Sequence, residues 1–172
     1  MAEAAFPGRS GRIAFSAGVY VDPVGTFPGY GQVRDYDIFT IAPGGSGVQQ
    51  VTQGDFVDGF PTWSPDGRKL AFARADANSL FEYDIYVVDA DGGSPVNLTQ
   101  TPQYRDWEPS WSPDGSKIVF RSDRAAPEVV TRPLFDFFEG DLFIMNADGS
   151  DVRPLTSGPG FEMMPVWSPD GA

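Results

Sequence analysis

The sequence predicts an all-β fold of four-stranded antiparallel blades, a β-propeller, and three observations carry that prediction. The pentapeptide Trp-Ser-Pro-Asp-Gly occurs at 63–67, 111–115 and 167–171, so the 172-residue chain repeats at intervals of 48 and 56 residues. A period near 50 residues marks propellers and solenoids. Within each unit the spacing is strict: fifteen residues separate Asp37 from Thr52, Asp84 from Thr99 and Asp141 from Thr156. Finally, the 20 glycines and 16 prolines fall between short runs of alternating apolar residues, with no sustained helical periodicity.

Each unit reads as four strands. The first carries Pro-x-Trp-Ser, as in Pro61-Thr62-Trp63-Ser64. The second alternates around Leu70-Ala71-Phe72 or Ile118-Val119-Phe120. The third opens on the repeated acid, as Asp37-Ile38-Phe39, Asp84-Ile85-Tyr86 or Asp141-Leu142-Phe143. The fourth ends in Val51-Thr52, Leu98-Thr99 or Leu155-Thr156. Between the first two strands, Ser-Pro-Asp-Gly puts proline where its fixed φ suits a type I turn and glycine where a left-handed residue is needed. Asp89-Ala90-Asp91-Gly92 and Asn146-Ala147-Asp148-Gly149 serve the same purpose between the third and fourth strands.

Composition narrows the function. With no histidine and no cysteine, Ser-His-Asp and Cys-His catalysis, His-ligated zinc, thiolate metal sites and disulfides are all excluded. A formal charge of −12 argues against nucleic acid and against an anionic membrane surface as partners. No apolar run approaches the ~20 residues of a membrane-spanning helix. The first residues lack the cationic and apolar regions of a signal peptide, so the expected compartment is the cytoplasm as the chain is written.

These motifs resemble the TolB-like β-propeller repeat, a WD-repeat-like family. The second unit matches it best, through Pro61-Thr62-Trp63-Ser64-Pro65-Asp66-Gly67, Asp84-Ile85-Tyr86 and Leu98-Thr99. The resemblance implies that the Trp strand is innermost, and that the propeller serves as a non-enzymatic scaffold for protein–protein interaction. It also allows a periplasmic or extracellular setting if a leader has been removed. Peptidases of the prolyl-oligopeptidase type carry similar propellers, with their chemistry in a separate hydrolase domain. Gly44-Gly45-Ser46-Gly47 is not the Gly-x-Ser-x-Gly elbow of such a domain. No enzyme activity is expected. The alternatives are a propeller that binds a cation or a carbohydrate, and a detached propeller of such a peptidase.

On this reading one half-propeller spans 1–172. Residues 11–52 supply strands two to four of a split blade, 58–99 and 106–156 are complete blades, and 162–171 is an inner strand. Three blade equivalents are too few to close a ring, since propellers have four to eight. Two chains give six, the number in the TolB propeller. A two-fold homodimer is therefore expected, closed where Pro165 and Trp167 of one chain meet Ile13 and Phe15 of the other. The alternative is that these residues are a fragment of a six-bladed chain.

Two candidate sites follow. Asp58, Asp106 and Glu162 each stand three residues before the repeated proline, at the entry to the innermost strand. In a closed ring they would recur as carboxylates round one mouth of the channel, where oxygen ligands suit Ca²⁺. Alternatively each caps its own loop. No other cofactor is expected. The second site is the face bearing the long connections between second and third strands, where Tyr30, Tyr104, Trp107, Phe135, Phe137 and Phe138 would meet another protein, or else pack on one another to hold those loops. The repeated Asp37, Asp84 and Asp141 are expected to bond backbone or a neighbouring blade rather than a ligand.

Overall fold

Among the described residues, the turn sequences and alternating segments fold as eleven strands. A computed structural model describes residues 11–20, 33–76, 82–125, 140–158 and 162–171. The split blade contains β1 (Ile13–Tyr20), β2 (Val33–Ile41) and β3 (Gln49–Gln50). The next blade contains β4 (Phe56–Trp63), β5 (Lys69–Asp76), β6 (Tyr83–Asp89) and β7 (Val96–Asn97). The last contains β8 (Asp106–Trp111), β9 (Lys117–Ser122), β10 (Asp141–Asn146) and β11 (Arg153–Pro154). Successive strands within each blade pair antiparallel. One parallel bridge, Tyr36 to Val57, joins the first two blades into a single sheet. Among the described residues, 162–168 belong to no ladder.

The Ser-Pro-Asp-Gly turns form as their chemistry requires. Gly67 N–H donates to the Ser64 carbonyl at 2.8 Å, and Gly115 and Gly171 do the same to Ser112 and Ser168 at 2.9 and 3.0 Å. The serine hydroxyl then ties the hairpin shut. Ser64 Oγ accepts from Lys69 N–H and donates to Asp66, while Ser112 Oγ does so with Lys117 and Asp114. Three hydrogen-bond donors to Asp114, namely the Ser112 hydroxyl and the backbone and side chain of Ser116, hold its carboxyl down at about 2.

The fifteen-residue spacing proves to be a clamp across each blade. Thr52, Thr99 and Thr156 Oγ1 accept from the backbone N–H of Ile38, Ile85 and Leu142, at 2.8, 3.0 and 2.9 Å. The same hydroxyl faces the repeated acid, most closely where Thr99 donates to Asp84 at 2.8 Å. The repeated acids thus bond the end of their own blade, and Asp84 also takes the backbone bond that was expected. Asp84 adds a bond from Thr101 N–H, at 2.9 Å, and the Thr101 hydroxyl reaches Asp106 of the next blade, also at 2.9 Å.

A feature that the sequence conceals lies in the innermost strands. Phe60, Glu108 and Met164 all take left-handed backbone angles, with φ of 57°, 55° and 52°. Each immediately precedes the repeated proline, and in β4 and β8 the register shifts at that point. This is a bulge, which kinks the strand and strengthens its twist. Met164 adopts the same left-handed angle, although among the described residues its segment is in no ladder.

The apolar core sits between blades. Ile38, Val51, Leu70, Phe72 and Val88 fill the first interface. Ala71, Ala73, Ile85, Trp107, Trp111, Ile118, Phe120 and their neighbours fill the second. Each fully buried Leu, Ile or Phe side chain among these contributes ~1.5–3 kcal/mol. The rings of Phe15 and Phe39, of Phe72 and Tyr86, and of Phe120 and Phe143 pair across the second and third strands at 5.9 to 6.0 Å.

Outer-turn glycines set the spacing between blades. A Cβ at Gly149, where φ is +88°, would stand 2.7 Å from the Leu98 carbonyl oxygen of the preceding blade. At Gly93, with φ of +129°, no atom lies within 4 Å of one. Gly149→Ala is expected to cost at least about 1 kcal/mol more than Gly93→Ala in urea denaturation, since both carry the left-handed penalty and only the former adds a clash with backbone. Equal losses would show that the blades can slide apart freely.

Candidate functional site

The three carboxylates at the innermost entries have different fates. Asp58, on β4, is fully buried, and both of its oxygens are held by Arg74 of the adjacent β5, at 2.6 and 2.7 Å. The Arg74 guanidinium also lies over the Phe56 ring at 4.3 Å and over Phe72 and Tyr86 at 5.3 Å. Asp106, on β8, is equally buried and bonds Arg124 at 2.7 Å and the Thr101 hydroxyl at 2.9 Å. Burial raises the Asp106 carboxyl above its ordinary range, and the Arg124 charge opposes that rise.

Arg74 and Arg124 are not equivalent in the repeat. Arg74 stands opposite Asp58, whereas the position opposite Asp106 belongs to Ser122. Arg124 lies two residues farther along and returns over the Phe120 and Phe143 rings at 5.4 and 5.1 Å. Both guanidiniums therefore sit on the paired rings of their blade and against its innermost carboxylate. Reading the sequence by aligned positions misses this, because the charge arrives from two registers. A third pair joins Arg105 to Asp123 at 2.7 Å, and Arg105 backbone N–H donates to the same carboxylate.

Glu162 differs from its two counterparts. Its carboxylate accepts from the Thr156 hydroxyl at 3.2 Å, and its backbone N–H donates to the Gly140 carbonyl at 3.0 Å. It also lies near Asp141, whose carboxyl is raised chiefly by burial and further by the Glu162 charge. Among the described residues, no group of three or more acidic side chains is arranged to hold a metal ion.

Of the aromatic candidates, Tyr30, Phe135, Phe137 and Phe138 lie outside the described residues. Tyr104 is half-buried in the connection before β8, where its N–H donates to the Thr101 carbonyl at 2.9 Å. Trp107 is only 8 % exposed and belongs to the core between the last two blades. Its ring packs 6.1 Å from Tyr83 and lies under the Arg105 and Arg121 guanidiniums, at 5.1 and 4.9 Å, which leaves little of it open to a partner. Of the candidates at the chain ends, Phe15, Pro165 and Trp167 are half-buried. Ile13 is 54 % exposed, while its equivalents Leu70 and Ile118 are fully buried. On the opposite, hairpin-turn face a groove of about 1210 Å³ is lined by Arg12, Gln49, Trp63, Arg68 and the turn acids Asp66, Asp89 and Asp91.

The Asp58–Arg74 pair gives a direct test of this geometry. Arg74→Ala leaves a buried carboxylate alone and is expected to cost about 3–5 kcal/mol in denaturant unfolding. The double variant Asp58→Ala, Arg74→Ala is expected to cost less than the two single changes summed, because it removes both charges at once. Additive losses would mean that the pair is not coupled.

The comparisons with known proteins agree with this geometry. The profile of the TolB beta propeller domain matches residues 35–132. A TolB-type protein of Agrobacterium tumefaciens superposes with a TM-score of 0.63 and 32% identity, over 79% of this chain and 47% of that one. TolB from Acinetobacter baumannii gives 0.68 at 21% identity, over 94% of this chain and 34% of that one. An acylaminoacyl peptidase gives 0.53 at 14% identity, over 84% and 23%, a likeness of fold alone. The chain thus spans less than half the length of each of these structures. A search of curated sequences gives no match. Repeated blades, their hairpin turns and the profile spanning 35–132 together make this chain a member of the TolB beta propeller domain family.

Proposed function

We propose that this chain is a non-enzymatic propeller module that binds another protein, on the face where the connections between second and third strands emerge. The observation that carries this reading is the use to which charges near that face are put. Asp58 with Arg74, Asp106 with Arg124 and Asp123 with Arg105 are each consumed in a buried or nearly buried pair. Groups held in this way stiffen a platform; they are not poised to exchange protons with a substrate. Loops carried on so rigid a scaffold are where recognition usually resides. A periplasmic setting, which the family resemblance allows, is part of this proposal.

Capture from an extract of the source cell tests it, comparing the unaltered chain with Tyr104→Glu on the loop face and Val96→Glu on the exposed outer strand β7. One protein is expected to be held by the unaltered chain and by Val96→Glu, and about tenfold less by Tyr104→Glu. Equal retention by all three, or turnover of peptides by the purified chain, would sink the reading.

A second reading, calcium binding, is favoured at one place. Glu162 and Asp141 are neighbouring carboxylates, and no arginine pair to either is seen among the described residues, unlike Asp58 and Asp106. Millimolar-range calcium on the order of extracellular sites is then expected to raise the melting temperature by several degrees over chelator, and Glu162→Gln to remove the rise. An unchanged melting temperature excludes it.

A further inference from the structure

Asp-Gly is a dipeptide at which a protein chain readily rearranges, because glycine has no Cβ to keep its nitrogen from the aspartate side chain. The glycine amide nitrogen attacks the side-chain carboxyl carbon and a C–N bond forms. The carboxyl O–H leaves with the amide proton as water, giving a five-membered succinimide. Water then opens the ring at either carbonyl. Opening at the backbone carbonyl routes the chain through the side chain, as isoaspartate. The mass is unchanged and water is the only reactant. This chain carries six such links, at 58–59, 66–67, 91–92, 114–115, 148–149 and 170–171.

Ring closure needs a neutral carboxyl that can swing onto the glycine nitrogen. Asp58 is denied both, since it is buried with its two oxygens held by Arg74. Asp66, Asp114 and Asp148 are exposed, so burial does not shield them. A hydroxyl two residues away does. Ser64 donates to Asp66 at 2.7 Å, and Ser112 and Ser150 donate to Asp114 and Asp148 at 2.6 Å. The backbone N–H groups of Arg68, Ser116 and Ser150 reach the same three oxygens at 2.9 to 3.0 Å. These donors hold each carboxylate in one orientation and favour its ionised, unreactive form.

Asp91 is equally exposed and has an interaction of its own. Its neighbours two residues either side, however, are Asp89 and Gly93, and neither carries a hydroxyl. Gly93 stands where Ser150 does in the next blade, with φ of +129° and open space around it. Of the six links this is the one followed by a second glycine, so its backbone most easily reaches the geometry of ring closure. We propose that Asp91-Gly92 is a site of spontaneous isoaspartate formation, and that the serine hydroxyls protect Asp66-Gly67, Asp114-Gly115 and Asp148-Gly149 from the same change. The product adds a carbon to the backbone between β6 and β7. Gly92 lies close against the first blade, where a Cβ would stand 3.4 Å from the Val51 carbonyl oxygen, so the altered turn disturbs that interface.

Ageing the purified chain at neutral pH and mapping its peptides tests this, since isoaspartyl and aspartyl peptides of one mass separate by chromatography. IsoAspartate is expected to collect at Asp91, at least about tenfold above Asp114, and Asp91→Glu to remove most of it. Ser112→Ala is expected to raise the level at Asp114 by about tenfold while Asp66 and Asp91 keep theirs. Ser112→Thr, which retains a hydroxyl, is expected to leave Asp114 low. Similar levels at all the exposed links, or none at Asp91, would overturn the proposed site. A rise at Asp66 as large as that at Asp114, or the same rise in Ser112→Thr, would overturn the protective part of the hydroxyl.

Discussion

A blade of four strands has two apolar faces and can cover neither by itself. Everything else in this structure answers to that constraint. The core is not inside any sheet but between sheets, with Phe72 and Leu70 at one interface and Phe120 and Ile118 at the next. Because the burial lies between units, each depends on correct spacing and tilt of its neighbour. The close approach of Gly149 to Leu98 and the contact of Gly115 with Pro65 fix that spacing at the outer and inner turns. Hydrogen bonds from Thr101 to both Asp84 and Asp106 carry the same alignment through the polar end of the blades.

Much of this was legible in the sequence because it is local. The Ser-Pro-Asp-Gly turn needs a particular residue at each place, and the structure uses each one, from the serine hydroxyl to the left-handed glycine. The fifteen-residue interval between Asp84 and Thr99 was equally visible, although its purpose as a clamp within a blade was not. What stayed hidden depends on backbone shape or on convergence in space. Phe60, Glu108 and Met164 share a left-handed backbone angle but no chemistry, so nothing in their identities announces it. Arg74 and Arg124 fill one kind of place from two registers, which an alignment of units sets apart. Trp107 stands outside the repeat motif and yet belongs to the core, a role that burial alone reveals.

The same geometry explains why acidic residues are abundant while buried ones are confined to defined partners. A carboxylate taken out of water costs several kcal/mol unless it is paired and hydrogen-bonded. Asp58 and Asp106 satisfy that demand with an arginine whose flat face rests on an aromatic pair, joining polar and apolar packing in one contact. The exposed turn acids Asp66, Asp114 and Asp148 meet it differently, through neighbouring hydroxyl and backbone donors that hold their carboxyls below the usual range.

The fourth strands β3, β7 and β11 are each two residues long. A foreign strand arriving at the rim would find only that much ladder to copy, too little to template a growing sheet. Brevity there acts as a guard against fibril growth. A rim of such short strands gives stacked β-sheets, an architecture otherwise open to extension, an outer edge that is hard to copy.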